Sequence, residues 1–465
     1  MLNRKIESEL SKFIGASSKE AILLTGARQV GKTFIIREVA RRSGLKTLEI
    51  NFIKEAEAKI LFKDLRNEQD FFIRLSSYTD EELKPGETLI FFDEVQECPE
   101  VVTYIKFLVD DGRYRYILSG SLLGVELKDL RSAPVGYLRE LQMYPLDFEE
   151  FVRALGTKDT VLDHVRSAWE RRTAVDPVVH TRMMDMFRLY LVVGGMPAAV
   201  QRYLDTKNIS EVVQVQRGIV REYRKDATKY DKGNKLQIER TFDLIPEELN
   251  RKNKRFVVAD LKDAGRFDRL EANFVWLSEA GIGLTVCSVA DPRVPLRLTR
   301  DSSFFKLFLN DVGLLASLYM DGIQLKILSG ETDINFGAVY ENFVAQELHA
   351  GGFPLYYFSS RKVGEVDFVV EYEGKAEPVE VKSGAHYRSH AALDRLLGIP
   401  AYSIGHAFVL GNANYSRVDK VEYLPIYFTM FLKKDPLPPD MVYELPEREG
   451  YGSAGISTFK KGNVQ

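Results

Sequence analysis

Gly26-Ala27-Arg28-Gln29-Val30-Gly31-Lys32-Thr33 follows the apolar run Ala21-Ile22-Leu23-Leu24 and precedes Phe34-Ile35-Ile36-Arg37-Glu38-Val39-Ala40. A strand, a turn and a helix start in that order are the setting in which G-x-x-x-x-G-K-[ST] carries a mechanism. The glycines let successive backbone N–H groups curl around a β-phosphate, and the helix N-terminus adds the positive end of its dipole. Lys32 reaches the β/γ oxygens and Thr33 is placed to ligate Mg²⁺. The stretch from Gly26 to Thr33 therefore predicts a nucleoside triphosphate site, with ATP as the expected ligand.

A second strand ends in two acids. Thr88-Leu89-Ile90-Phe91-Phe92-Asp93-Glu94 reads as a buried parallel strand, an apolar run without alternation. Asp93 is expected to complete the Mg²⁺ shell with Thr33, and Glu94 to orient and deprotonate the attacking water. That glutamate favours an NTP hydrolase over a small-molecule kinase, which needs no water-activating base. A third strand, Tyr114-Arg115-Tyr116-Ile117-Leu118-Ser119, ends in a hydroxyl, and Ser119 is expected to face the γ-phosphate. Ser119-Gly120-Ser121 is also ordinary turn chemistry, so the spacing alone does not decide between the two.

At 465 residues the chain is too long for one core and reads as an α/β protein of several domains. A net charge of −3 gives no global argument for nucleic acid, so any such argument must be local. Two local tracts supply it, Arg217 to Lys225 with Arg221 and Arg224 between, and Arg251-Lys252-Asn253-Lys254-Arg255. Both are candidates for contact with DNA phosphates, and both also fit solvated faces. Cys98 and Cys287 lie far apart and outside any metal-ligand spacing, which fits a reduced compartment. No apolar run reaches the length of a membrane span and Met1 to Ile6 has no leader pattern, so a cytoplasmic protein with no membrane contact is expected.

The expected order of parts is an ATPase core over residues 1–155, a helical lid over 156–235, a winged-helix-like segment over 236–325, a nuclease-like α/β module over 330–435, and a disordered tail over 436–465. Met183, Phe187 and Leu191 recur at helical spacing, and Gly194-Gly195-Met196-Pro197 breaks that helix where a lid would pivot. Leu270, Phe274 and Leu277 share one helical face ahead of a two-stranded wing at 281–289 and Leu296–Leu298.

The second constellation lies in the last module. Glu341 sits on an apolar helix, Asp367 on the strand Gly364 to Val370, and Glu380 and Lys382 on the strand Pro378 to Lys382, beyond a turn at Glu373-Gly374-Lys375. Alternation puts Glu380 and Lys382 on one side of the strand and Val379 and Val381 on the other. Glu341, Asp367 and Glu380 are thus expected to converge on a divalent ion, with Lys382 beside it to position a water or a phosphoryl charge. The set resembles the Asp…Glu-x-Lys arrangement of PD-(D/E)xK nucleases. His386 and His390 lack a third ligand and read as surface residues.

The P-loop, Phe91-Phe92-Asp93-Glu94-Val95-Gln96, Leu118-Ser119-Gly120-Ser121, Tyr144-Pro145-Leu146-Asp147-Phe148-Glu149-Glu150-Phe151 and Val193-Gly194-Gly195-Met196-Pro197 together resemble the prokaryotic AAA-type ATPases that carry a C-terminal nuclease-like domain of unknown function. That resemblance implies an AAA-type core, a lid, a winged-helix-like segment and a restriction-endonuclease-like module. It implies no settled biological role. Where the family usually has Gly-Arg ahead of its Pro-Leu-x-Phe segment, this chain has Gly136-Tyr137, which leaves Arg131 and Arg139 as substitutes for an arginine finger or, equally, as solvated surface arginines; a homo-oligomer is a separate expectation. ATP hydrolysis coupled to a module acting on DNA is one functional expectation. An ATP-gated switch whose C-terminal module binds a partner without cutting it is the other.

Overall fold

The computed structural model describes residues 2–16, 19–121, 136–230, 242, 244–249, 256–257, 276–331, 336–438, 441 and 443. Strand β1 (Ala21–Thr25) is buried almost along its length, as a strand covered by helices on both faces must be. It pairs in parallel with β4 (Arg115–Ser119) on one side and β5 (Leu138–Gln142) on the other. With β2 (Lys46–Asn51) and β3 (Thr88–Asp93) the order is β2-β3-β4-β1-β5. Helices Lys32–Ser43, Glu68–Tyr78 and Glu100–Asp111 make the crossovers. Because the strands run parallel, their carboxyl ends share one edge, where open α/β sheets bind ligands. Thr25, Asn51, Asp93 and Ser119 are the last residues of β1, β2, β3 and β4.

Helices Asp159–Arg171, Pro177–Val193, Pro197–Thr206 and Ile209–Tyr230 follow. Helix Pro177–Val193 starts on the Asp176 carboxylate, which accepts from Val178 N and Val179 N, with Pro177 at the first helical position. Gly194 and Gly195 are dictated by close approach. A Cβ on Gly195 would lie 2.0 Å from the Leu146 carbonyl oxygen, and one on Gly194 would lie 2.2 Å from Asp311 Oδ1. The segment expected to pivot is packed between two other segments: Leu146 N donates to Gly195 O at 2.7 Å, and Gly195 N to Asp311 Oδ2 at 2.5 Å.

A second sheet contains β6 (Phe256–Val257), β7 (Gly283–Val289), β8 (Arg300–Leu309), β9 (Tyr356–Ser360), β10 (Gly364–Tyr372), β11 (Lys375–Val381), β12 (Ala407–Gly411), β13 (Ser416–Val418) and β14 (Val421–Pro425). Its order is β13-β14-β12-β11-β10-β9-β7-β8-β6. The hairpin expected as a wing therefore extends the sheet of the C-terminal module, β7 pairing in parallel with β9. Its second strand is not at Leu296–Leu298. Those residues form a 3₁₀ turn, held by Leu296 N on Glu371 Oε1 at 2.6 Å and Thr299 Oγ1 on Asp291 O at 2.7 Å, and the strand begins at Arg300. Helix Gly337–Ala350 is buried from Ala338 to Leu348.

Residues 1–434 form one compact body, and residues 435–465 a second, small unit. Leu270, Phe274, the tract 251–255, Arg131 and most of the expected tail lie outside the described residues. Among the described residues no single helix is long and apolar enough to cross a membrane. The bent pair Pro177–Val193 and Pro197–Thr206 meets that test by length and composition, but Met183, Phe187, Tyr190, Leu191 and Val200 on it are core residues.

Candidate active site

Gly26 has φ 137° and Gly31 φ 97°, both in territory that side chains avoid. A Cβ on Gly26 would also sit 2.2 Å from the Met143 carbonyl oxygen, so the loop closes against the chain leaving β5. Gly31 is the residue before helix Lys32–Ser43, and the loop's N–H groups gather at that helix N-terminus. Lys32 is buried, and its ammonium donates to Gly26 O at 2.8 Å and Ala27 O at 2.9 Å. Burial pushes it down to about 8, against the opposing pull of Glu94 and Asp93.

Asp93 is the hub. Thr33 Oγ1 stands 3.2 and 3.1 Å from its two oxygens, and Asn51 Nδ2 donates to Oδ2 at 2.8 Å. Ser119 Oγ donates to Oδ1, and so does Glu94 N at 3.2 Å. Sequence reasoning placed Thr33, Asp93 and Ser119 together, and the structure brings them into contact. It missed Asn51, whose only signal was its place at the end of a strand. Glu94 follows in a left-handed conformation, φ 58°, at the point where the strand ends. Gln96 Nε2 holds Glu94 Oε2 at 2.6 Å.

The remaining loop residues face other segments. Arg28 Nη1 pairs with Asp226 at 2.6 Å, and Tyr223 OH donates to Arg28 O at 3.1 Å, both from helix Ile209–Tyr230. Gln29 has φ 65°. Val30 is fully buried, and its carbonyl accepts from Arg4 Nη1 at 3.0 Å. Arg4 also reaches Glu150 at 3.1 Å and Tyr144 O at 2.6 Å, tying the N-terminal segment to the Pro-Leu-Asp-Phe region. A cleft of about 200 Å³ opens beside the loop, lined by Leu2, Val30, Phe34, Met143, Pro197 and Gln201 among others. Arg139 lies on β5 opposite Ile22 and stands 3.8 Å from Glu9.

The second constellation also assembles, with a different filling. β10 and β11 pair antiparallel, Phe368 opposite Val379. Lys382 Nζ is 2.8 Å from Glu380 Oε1, and Val381 N donates to Asp367 Oδ2 at 2.9 Å. Lys306, on β8 and fully buried, extends its ammonium to 2.8 Å from Glu365, 3.8 Å from Glu341 and 3.9 Å from Asp367. Burial alone would lower the Lys306 ammonium, but Glu341, Glu365 and Asp367 raise it well above its ordinary value. Burial and the Asp367 carboxylate push Glu380 up to about 8. The acids expected as metal ligands, Glu341, Asp367 and Glu380, are thus met by ammonium and amide donors. Among the described residues no group of three or more His, Cys, Asp or Glu side chains is arranged to hold a metal ion. His390 is buried rather than exposed, with Tyr423 OH 2.8 Å from Nε2.

The basic tract at 217–225 is partly engaged internally. Arg217 pairs with Asp321 and donates to Ser317 O at 3.3 Å, and Lys225 is 2.8 Å from Glu222.

A parallel sheet with a P-loop, an Asp-Glu strand end and a polar residue on the strand between them defines an AAA-type P-loop ATPase domain, and residues 18–152 match the family described as an AAA domain. Residues 184–326 and 336–429 each match a domain of unknown function, DUF8612 and DUF4143 respectively. No curated protein matches the chain. Among solved structures the chain is similar to the Walker-type ATPase PABY2304 of Pyrococcus abyssi at 15% identity and TM-score 0.40, with 69% of this chain and 96% of that one covered. It is also similar to the Aeropyrum pernix ORC1 protein in complex with DNA, at 14% identity and TM-score 0.30, covering 70% and 94%. Neither likeness is close enough to carry an argument about residues.

Proposed function

We propose that the protein hydrolyses ATP at the P-loop and that the nucleotide state is read by the segments packed on that loop. The observation that carries this reading is the convergence of Thr33, Asn51 and Ser119 on Asp93, with Glu94 next in the chain. Lys32 exchanges the Gly26 and Ala27 carbonyls for β- and γ-phosphate oxygens. The loop N–H groups hold the β-phosphate in place. Thr33 and Asp93 are hard oxygen donors of the kind Mg²⁺ takes, and the ion bound there would neutralise charge across the β- and γ-phosphates. Glu94 takes the proton of the attacking water as the water oxygen bonds to the γ-phosphorus and the bond from that phosphorus to the β–γ bridging oxygen breaks, releasing ADP and phosphate. Gln96 orients the Glu94 carboxylate until the water arrives. Ser119 is placed beside the γ-phosphate. The cleft between Phe34 and Pro197, with the Gln201 amide at its rim, suits a purine base.

The readout runs through contacts outside the sheet. Arg28 is tied to Asp226 and Tyr223, and a Cβ on Gly281 would lie 3.2 Å from Ala27 N, so the segment leading into β7 rests on the loop. From β8 the chain reaches Asp311, which bonds Gly195, while Gln346 on the buried helix accepts from Val312 N at 2.9 Å and donates to Tyr190 OH at 2.6 Å. An ATP-gated switch follows from that wiring, and a homo-oligomer supplying an arginine to its neighbour's γ-phosphate is compatible with it. Steady-state ATPase assays test the reading. Asp93→Asn should lower the Mg²⁺-dependent rate by about 100-fold or more, since the metal's transition-state contribution is several kcal/mol. An unchanged rate would remove Asp93 from the site.

A further inference from the structure

The module over 330–435, expected from its sequence to resemble PD-(D/E)xK nucleases, raises the question of what balances charge among its acids. Four carboxylates gather at this end of the sheet, Glu341 from the buried helix, Glu365 and Asp367 from β10, and Glu380 from β11. Two lysines meet them. Lys382 is 2.8 Å from Glu380. Lys306 comes from β8, with β7 and β9 lying between its strand and β10. Its side chain has no solvent exposure, its ammonium lies between Glu341, Glu365 and Asp367, and it also sits 5.2 Å from the centre of the Tyr357 ring.

We propose that Lys306 is the resident cation of this pocket: its ammonium stands where a nuclease of this type would hold a divalent ion, so the module keeps its acidic pole folded without metal and does not cut phosphodiesters. Three features favour a built-in ammonium over a metal. Lys306 Nζ is close enough to donate to Glu365 at 2.8 Å and stands 3.8 and 3.9 Å from Glu341 and Asp367, so the space between these acids is already filled by a cationic donor. Asp367 spends its other oxygen on the Val381 N–H. A divalent ion added among the same three carboxylates would meet the like charge of the Lys306 ammonium in a low-dielectric interior, which opposes its binding. Lys306 also lies in the run Phe304-Phe305-Lys306-Leu307-Phe308-Leu309, where a lone charge on an apolar strand needs buried partners of opposite sign.

The inference is independent of ATP hydrolysis, and it can fail while Glu94 retains its role. The test is titration of the full chain with Mn²⁺ in the absence of nucleotide, followed by electron paramagnetic resonance and by thermal denaturation. Wild type should show no tight Mn²⁺ site that Asp367→Asn removes, and no rise in melting temperature with Mn²⁺. Lys306→Met keeps the length and removes the charge. It should melt lower than wild type without metal, regain stability with Mn²⁺, and bind Mn²⁺ at least tenfold more tightly than wild type through a site lost in Lys306→Met/Asp367→Asn. A wild-type Mn²⁺ site abolished by Asp367→Asn would overturn the proposal, as would Mn²⁺-dependent cleavage of linear DNA abolished by the same change. A folded Lys306→Met that gains neither Mn²⁺ affinity nor Mn²⁺ stabilisation would also overturn it. Should Lys306→Met fail to fold even with Mn²⁺, the wild-type and Asp367→Asn arms decide the question alone.

Discussion

Carboxylates gather at two places in this chain, one at the end of β3 and one around the buried helix and β10, and the donors that meet them differ in kind. Asp93 is met by hydroxyls and an amide, from Thr33, Ser119 and Asn51. Glu341, Glu365 and Asp367 share an ammonium, from Lys306, and Asp367 also accepts from Val381 N. Asp93 feels the charge of Lys32, but its hydrogen-bond donors are neutral, so a cation can add without displacing a charged donor. One ammonium among three carboxylates offsets part of their charge, and removing it would strand more negative charge in the interior at a cost of several kcal/mol. Carboxylates are therefore held by neutral donors at one pole and by a buried ammonium at the other.

The largest effect that would break this contrast is at the nucleotide pole. Lys32→Ala removes the cation from a buried phosphate site and should weaken ATP binding by about 3 kcal/mol, roughly 100-fold, in a fluorescent-nucleotide titration. Near-normal binding would mean that the Gly26–Thr33 loop is not the phosphate cradle. The junction between the poles comes next. Gly195→Ala drives a Cβ to 2.0 Å from Leu146 O and should destabilise the chain by about 3 kcal/mol, seen as a lower thermal midpoint. A midpoint equal to wild type would show that this junction yields.

A smaller effect concerns pH. Lys32 in the free protein titrates near 8 because it is buried, and triphosphate binding holds the charged form. Below pH 8 the ammonium is already charged. Above it binding must take up a proton, so affinity should fall with rising pH by up to about tenfold per unit. Titrations at pH 7 and pH 9 check this, and Lys32→Arg, which stays charged, should flatten the slope.

Much of the nucleotide pole was legible because its chemistry is local in sequence: the loop fixes its own glycines, and Asp93-Glu94 ends an unbroken apolar run. Asn51 and Gln96 were not, since an asparagine at a strand end and a glutamine in a short turn have many other uses. At the other pole the spacing of Glu380 and Lys382 gave their shared side correctly. It gave no sign that the cation among the acids comes from β8. That contact depends on how the second sheet is assembled, with the expected wing continuing into the C-terminal sheet. A lone lysine within Phe304 to Leu309 was a signal in plain view, and its partners lie on elements that only tertiary structure brings near.

The central claim is that Glu94 is the base of an ATP hydrolase. Its most direct test is Glu94→Gln, measured both for nucleotide affinity and for single-turnover hydrolysis with Mg²⁺. Gln keeps the size and the contact with Gln96 but cannot accept the proton, so affinity should stay within about twofold of wild type while the rate falls by roughly 10²–10⁴. A Glu94→Gln protein that hydrolyses ATP at the wild-type rate would contradict the account.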